Sequence, residues 1–342
     1  MVVIFPCAGQ SSRFPGTRPK YLLTDYSGML MIERASMNVQ SHKHFVILKE
    51  HVDKYDAENI MSDCFRWQDH SVTVLDIPTN GPAETVYLAL KGIKHNGSFL
   101  VRDCDSFFDF DSVQGNVIYT SRLKENPNLK GVSQLSYVVT NEQDIVTNIV
   151  EKTVASDQFC VGGYQFEDVE DYYSAYETIR AKTNEIFISD VIQYMINTGK
   201  VFISKDVRNY ENVGVLDAWL EFNDRPTIFC DIDGVIVENQ GTYGKNSYDN
   251  KPYVSITENV ECLKRKLEQD CQIVFTTARS GRFYDVTRMM LDDLGFKKCR
   301  LLMNINHSKR IVINDFASSN PYPAAVAINL ERNSNRLKDY LT

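Results

Sequence analysis

Residues 2–14 read Val-Val-Ile-Phe-Pro-Cys-Ala-Gly-Gln-Ser-Ser-Arg-Phe, a short apolar run that breaks into a turn of small residues closed by an arginine. Runs of the same kind follow at residues 44–49 (HFVILK), 71–77 (SVTVLDI) and 98–103 (SFLVRD). Between them lie stretches with helical spacing, such as residues 83–93, where Val86, Ala89, Leu90 and Ile93 share one face. Apolar strands alternating with amphipathic helices predict a parallel sheet covered by helices, an α/β class. The second half repeats the pattern: TIFCDID (227–233), a helical 257–270, CQIVFTT (271–277), a helical 282–295, then CRLLMN (299–304), RIVIND (310–315) and AVAIN (325–329). Pro226, in the NDRP stretch after the amphipathic 216–222, ends a helix and marks the linker. The expected layout is two Rossmann-like three-layer α/β/α domains, 1–224 and 226–342.

The chain has 342 residues, more than one core normally serves, with 43% apolar and 24% charged residues, which excludes long disorder and disulfide miniproteins. A net charge of −8 argues against nucleic acid or a membrane surface as the partner. The eight cysteines include no CxxC pair, and no apolar stretch is long enough to span a membrane. Reduced thiols and a cytoplasmic location are the expectation.

In α/β sheets ligands gather at the carboxyl ends of strands, so the loop after the first run is the candidate site. It holds Gly9, Ser11, Ser12 and Arg13, with Lys20 soon after. The loop is neither GxGxxG nor a P-loop, but a small-residue turn offers backbone N–H groups and the two cations can neutralise a polyphosphate. A solvated basic loop is the alternative reading. Asp103 and Asp105, at the end of the 98–103 run, are hard oxygen ligands of the kind Mg²⁺ prefers.

AGQSSRF followed by RPKYLL resembles the signature of the sugar-phosphate nucleotidyltransferases. The resemblance implies nucleotide binding by Gly9, Ser11, Ser12, Arg13 and Lys20, with Arg13 and Lys20 acting on the reacting phosphates. Ser11 stands where a second glycine is usual. Gly81, Ala83 and Glu84 match the base-recognition segment, with a lean towards CTP, and Asp103 joins the nucleotide contacts. Asp105 aligns better than Asp103 with the metal ligand, and Asn212 stands where many relatives place a second, aspartate ligand. Glu151, Lys152, Gly163 and Asp190 fall in segments similar to the family's acceptor-binding elements.

In the second half, Asp231 and Asp233 end one strand, Thr277 another and Asp315 a third, with Lys309 upstream. Two acids at one strand tip repel unless a cation is shared. DIDGV, TTAR, the lysine and ND resemble the four motifs of the haloacid-dehalogenase-like phosphohydrolases, in particular small capsule-biosynthesis phosphatases. The resemblance makes Asp231 the nucleophile and Asp233 the general acid, has Thr277 and Lys309 hold the phosphoryl group, with Arg310 and Lys298 as alternatives to Lys309, and places Mg²⁺ on Asp231, Asp233 and Asp315. The polar stretch from Glu238 to Pro252 is too short for a folded cap, so the fold expected is capless, with a loop over the site.

The combined expectation is a bifunctional enzyme of activated-sugar or polyol synthesis for a surface polysaccharide. It uses one Mg²⁺ in each domain, takes a nucleoside triphosphate and a sugar or polyol phosphate, and has a homo-oligomer as an open option. The alternative keeps only the phosphatase active, with the N-terminal half a binding module.

Overall fold

A computed structural model of the chain describes residues 1–181, 185–249, 251–314 and 325–341. The chain divides into two compact units, Met1–Glu221 and Phe222–Thr342.

The first unit is built on strands β1 (Val2–Pro6), β2 (His42–Leu48), β3 (His70–Leu75), β4 (Phe99–Arg102), β5 (Ser106–Asp109), β6 (Asn116–Arg122), β7 (Ser136–Thr140), β8 (Val146–Glu151), β9 (Gln158–Phe166), β10 (Phe202–Asp206) and β11 (Arg208–Asn212). Its helices are α1 (Met31–Ser36), α2 (Lys49–Tyr55), α3 (Ala57–Cys64), α4 (Pro82–Gly92), α5 (Val169–Ile179), α6 (Ile188–Asn197) and α7 (Leu216–Phe222), which runs just past the unit boundary. The main sheet has the order β10-β6-β9-β4-β1-β2-β3, with β7 paired to β9 and β8 to β7.

Successive residues of a strand face opposite sides, and here each side is covered. Val2 and Ile4 of β1 enter a core with Val86, Ala89 and Leu90 of α4 and Val191, Ile192 and Met195 of α6. Val3 and Phe5 enter a second core with Ile32 of α1 and Ala57 and Met61 of α3. This is the helix–sheet–helix sandwich expected of continuous apolar strands.

The expected all-parallel sheet is corrected in one respect. β4, β1, β2 and β3 are parallel, but β9 runs antiparallel to both β4 and β6, and β7 pairs antiparallel with β8 and β9. Only residues 141–145 join β7 to β8, whereas a parallel crossover takes a dozen or more. Off the main sheet, β5 and β11 pair antiparallel, with Asn212 opposite Ser106. That pairing carries Asn212 from far along the chain to the neighbourhood of Asp105.

The second unit has a three-stranded parallel sheet, β12 (Thr227–Asp231), β13 (Gln272–Thr276) and β14 (Arg300–Leu302), in that order, with α8 (Thr257–Glu268) and α9 (Tyr284–Asp293) as the connections. Both crossovers step the same way across the sheet, so the right-handed rule sets both helices on one face. Ile273 and Phe275 pack there with Val260, Leu263, Met290 and Leu291. Phe229, on the opposite face, is 62% exposed. The two strands expected at 310–315 and 325–329 are not strands among the described residues, and Ile311, Val312 and Ile313 are exposed. On the face that carries Phe229, Val274 of β13 is buried.

Candidate active site

The carboxyl ends of β1 and β4 open into a cleft of about 500 Å³ lined by Gly9, Ser11, Ser12, Arg13, Lys20, Asp103, Asp105, Glu151, Lys152 and Asn212 among others. Ten of the residues expected from sequence to bind nucleotide, acceptor or metal therefore share one cavity.

The turn after β1 places its third residue beyond Ala8 in a conformation that favours glycine. Ser11 has φ +52°, in the left-handed region that glycine occupies at least cost. Here the serine side chain contributes in return: Ser11 Oγ accepts a hydrogen bond from the Lys20 backbone N–H at 3.1 Å, and Phe14 N–H donates to Ser11 O at 2.8 Å. The turn and the lysine are thus tied together.

Lys20 Nζ lies 2.5 Å from Asp105 Oδ2, and Arg13 Nη2 lies 3.6 Å from the same oxygen. Burial lowers the Lys20 pKa, but Asp105 more than reverses this and holds the ammonium above its ordinary value. Burial likewise opposes charge on Asp105, while Lys20 and Arg13 hold its carboxyl below the usual range. The ion pairs go to Asp105 rather than Asp103: burial, then the neighbouring Asp105, push Asp103 up to about 7 against a weaker pull from Lys20 and Arg13. Two acids two positions apart are thereby set to different protonation preferences, Asp105 as the anion at the cations.

The Asn212 side chain oxygen accepts from Gly214 N–H at 2.9 Å, and Val213 N–H donates to the Asp105 carbonyl at 3.0 Å. A Cβ on Gly214 would meet Asp105 Oδ2 at 2.9 Å and Asn212 Oδ1 at 3.1 Å, so the two oxygens flank one point. One carboxylate and one amide oxygen at a cleft wall are a donor set Mg²⁺ accepts when water and phosphate oxygens complete its octahedron. Among the described residues no three His, Cys, Asp or Glu side chains cluster as a metal site.

At the other end of the cleft, Glu151 Oε2 accepts from Ser136 Oγ at 2.5 Å and Ser189 Oγ at 2.6 Å. Lys152 has φ +54° and its ammonium sits 4.0 Å from the centre of the Phe187 ring. Ser136, Ser189 and Phe187 were not identified from sequence, because nothing local distinguishes them; only the folding of β7 and α6 against β8 brings them in.

Several expected contacts fall elsewhere. Gly163 is packed beneath the site, where a Cβ would meet Phe108 at 2.9 Å; its neighbour Gly162, φ +78°, lines the cleft, with a Cβ position 2.5 Å from Asp103 Oδ2. The need for glycine there is steric. Asp190 is exposed outside the cleft lining, its carboxylate accepting from Phe187 N–H at 2.8 Å to cap α6. Of the segment at α4, Pro82 lines the cleft, whereas Gly81, Ala83 and Glu84 do not. Gly81 passes so close to Ile186 that a Cβ would lie 2.5 Å from its carbonyl oxygen, Ala83 is buried, and Glu84 accepts from Asn80 N–H at 2.6 Å as a cap of the helix.

In the second unit, Asp231 pairs with Thr276 in the β12–β13 register, so Asp233 and Thr277 emerge side by side. Arg279, which sequence reasoning did not single out, grips Asp233 with two hydrogen bonds, Nε to Oδ2 at 2.9 Å and Nη2 to Oδ1 at 2.7 Å. Thr277 Oγ1 lies 3.4 Å from Asp233 Oδ2 and accepts from Arg279 N–H at 3.1 Å. Lys309 is exposed; Arg310 is the neighbour that reaches Asp231, 3.3 Å from Oδ1. Burial raises the Asp231 carboxyl above its ordinary value against the pull of Arg310. Asp315 lies outside the described residues.

No protein-family model and no curated protein matches the chain. Solved structures do. A nucleoside-diphosphate-sugar pyrophosphorylase from Vibrio cholerae RC9 matches at 24% identity and TM-score 0.55, covering 65% of this chain and 99% of its own. An inositol-1-phosphate CTP transferase from T. maritima matches at 14% and 0.51, covering 65% and 96%. A UDP-glucose pyrophosphorylase complexed with UDP-glucose matches at 16% and 0.51, covering 65% and 97%. The match lies on the N-terminal part, and among the described residues no helix is long and apolar enough to cross a membrane. The first unit thus has the fold of the sugar-phosphate nucleotidyltransferases.

Proposed function

We propose that the N-terminal unit transfers a nucleotidyl group from a nucleoside triphosphate, with a lean towards CTP, to a sugar or polyol phosphate, releasing pyrophosphate. The observation that carries this is the convergence of Arg13, Lys20, Asp105 and Asn212 on one cleft at the ends of β1 and β4. A phosphate-monoester oxygen attacks the α-phosphorus while the bond to pyrophosphate breaks, a displacement that needs positioning and charge neutralisation rather than a protein nucleophile. The turn from Gly9 to Arg13 offers N–H donors to the triphosphate, and Arg13 and Lys20 counter the charge that builds on the leaving pyrophosphate. Mg²⁺, held by Asp105 and Asn212, supplies further neutralisation when bound. Glu151, fixed by two serine hydroxyls, and Lys152 serve the acceptor's hydroxyls and phosphate. Incubation with Mg²⁺, each of the four nucleoside triphosphates and a panel of sugar and polyol phosphates should release pyrophosphate from a particular pair; none from any pair overturns the reading.

For the C-terminal unit we propose phosphate-monoester hydrolysis with Asp231 as nucleophile, Asp233 as acid and then base, and Mg²⁺ on Asp231, the Asp233 carbonyl and Asp315. The supporting observation is that Asp231, Asp233 and Thr277 end adjacent parallel strands. Phosphate release from p-nitrophenyl phosphate with Mg²⁺ tests it. Joined in one chain, the two activities suit consecutive steps towards an activated sugar or polyol in the cytoplasm.

A further inference from the structure

Within the stretch Glu238–Pro252, read from sequence as a loop over the second site, residues 238–249 are anchored. Glu238 N–H donates to Val254 O at 2.8 Å, Tyr248 N–H donates to Gly241 O at 3.2 Å, and Ser247 is buried. The Tyr248 ring lies over the Arg279 guanidinium, 4.2 Å from its centroid, and meets the Phe283 ring edge-on at 5.0 Å.

Arg279 is therefore held on several sides. Its Nε and Nη2 grip the Asp233 carboxylate, Nη1 donates to Thr287 Oγ1 at 3.2 Å, and its face carries Tyr248. Its side chain is 2% exposed. An arginine fork sets both the place and the plane of a carboxylate, which a lysine point charge does not. Stacking on a buried guanidinium also gives the loop a directional anchor.

We propose that Arg279 is a positioning residue that orients Asp233 and, through Tyr248, ties the 238–249 loop over the site, so that loop seating and carboxylate orientation are coupled. The catalytic half of this rests on the phosphatase reading; the tether does not.

The experiment uses the full chain and two readouts. Trypsin cleavage after the exposed Lys245 reports loop seating. Tyr248→Ala should be cut about fivefold faster than the unaltered protein, while Tyr248→Phe, which keeps the ring face, should be cut at the original rate. Equal rates in Tyr248→Ala and the unaltered protein overturn the tether. Hydrolysis of p-nitrophenyl phosphate reports positioning: Arg279→Lys should lower kcat about tenfold or more with KM nearly unchanged, and Arg279→Gln further. An unchanged kcat in Arg279→Lys overturns the positioning role. If the unaltered protein hydrolyses no ester at all, the phosphatase reading and the positioning role fall with it, and the proteolysis result still decides the tether.

Discussion

Replacing Gly214 by alanine places one methyl group between the two proposed metal ligands of the nucleotidyl-transfer site. The added carbon would lie 2.9 Å from Asp105 Oδ2 and 3.1 Å from Asn212 Oδ1, against ordinary contacts beyond 3.4 Å. Asp105 must yield by roughly half an ångström, yet Lys20 grips the same oxygen at 2.5 Å and the residue is buried, so it cannot simply swing aside. Because a misplacement of about 1 Å can cost about a hundredfold in rate, we expect kcat/KM for pyrophosphate release to fall about ten- to a hundredfold. The Mg²⁺ concentration for half-maximal rate should rise by a similar factor. Overpacking of this size should cost stability only about 1–2 kcal/mol, a few degrees in Tm. Steady-state pyrophosphate assays across a Mg²⁺ titration, with calorimetry on the same samples, separate the two effects. Full activity with an unchanged Mg²⁺ requirement would refute the placement of the metal between Asp105 and Asn212.

Ser11→Gly should leave stability within about 1 kcal/mol of the original, since relief of the positive φ offsets the lost hydrogen bond to Lys20, as urea unfolding would show. His44 is 1% exposed, with its ring nitrogens 2.8 Å from Ser71 Oγ and 3.0 Å from Thr73 Oγ1, and burial, with His42 nearby, lowers its pKa from 6.5 to about 4. Folding disfavours the protonated ring, so the stability tied to it is complete above pH 6.5 and is lost as pH falls towards 4, up to about 3 kcal/mol. Urea midpoints between pH 7 and 4.5 should drop more in the original protein than in His44→Gln. Asp231→Asn should abolish phosphate release and leave pyrophosphate release intact; loss of both in a folded variant would disprove independent sites.

Much of the site was legible because its residues sit next to strand ends, and strand ends are written locally. Asp103 and Asp105 directly follow an apolar run, Arg13 and Lys20 lie in the segment after another, and the carboxyl ends of parallel strands converge. The acids at Asp231 and Asp233 were legible in the same way. What local pattern could not supply were the partners: the serines on Glu151, the Gly162 that makes room for Asp103, and Arg279 beneath Tyr248. Capping acids such as Glu84 and Asp190 look like binding acids in a string of letters, since the same carboxylate serves both uses.

Apolar periodicity by itself determined that this chain alternates strands with helices and buries its first sheet on both faces, because the spacing of side chains along helix and strand is a local property. Strand direction was decided only in three dimensions: β9 runs against β4 and β6, which periodicity cannot register because a strand alternates identically in either direction. The tertiary structure likewise decided which acid meets the cations. Asp103 and Asp105 are the same residue type two positions apart, and the ion pairs of Lys20 and Arg13 with Asp105 shift the two carboxyls in opposite directions.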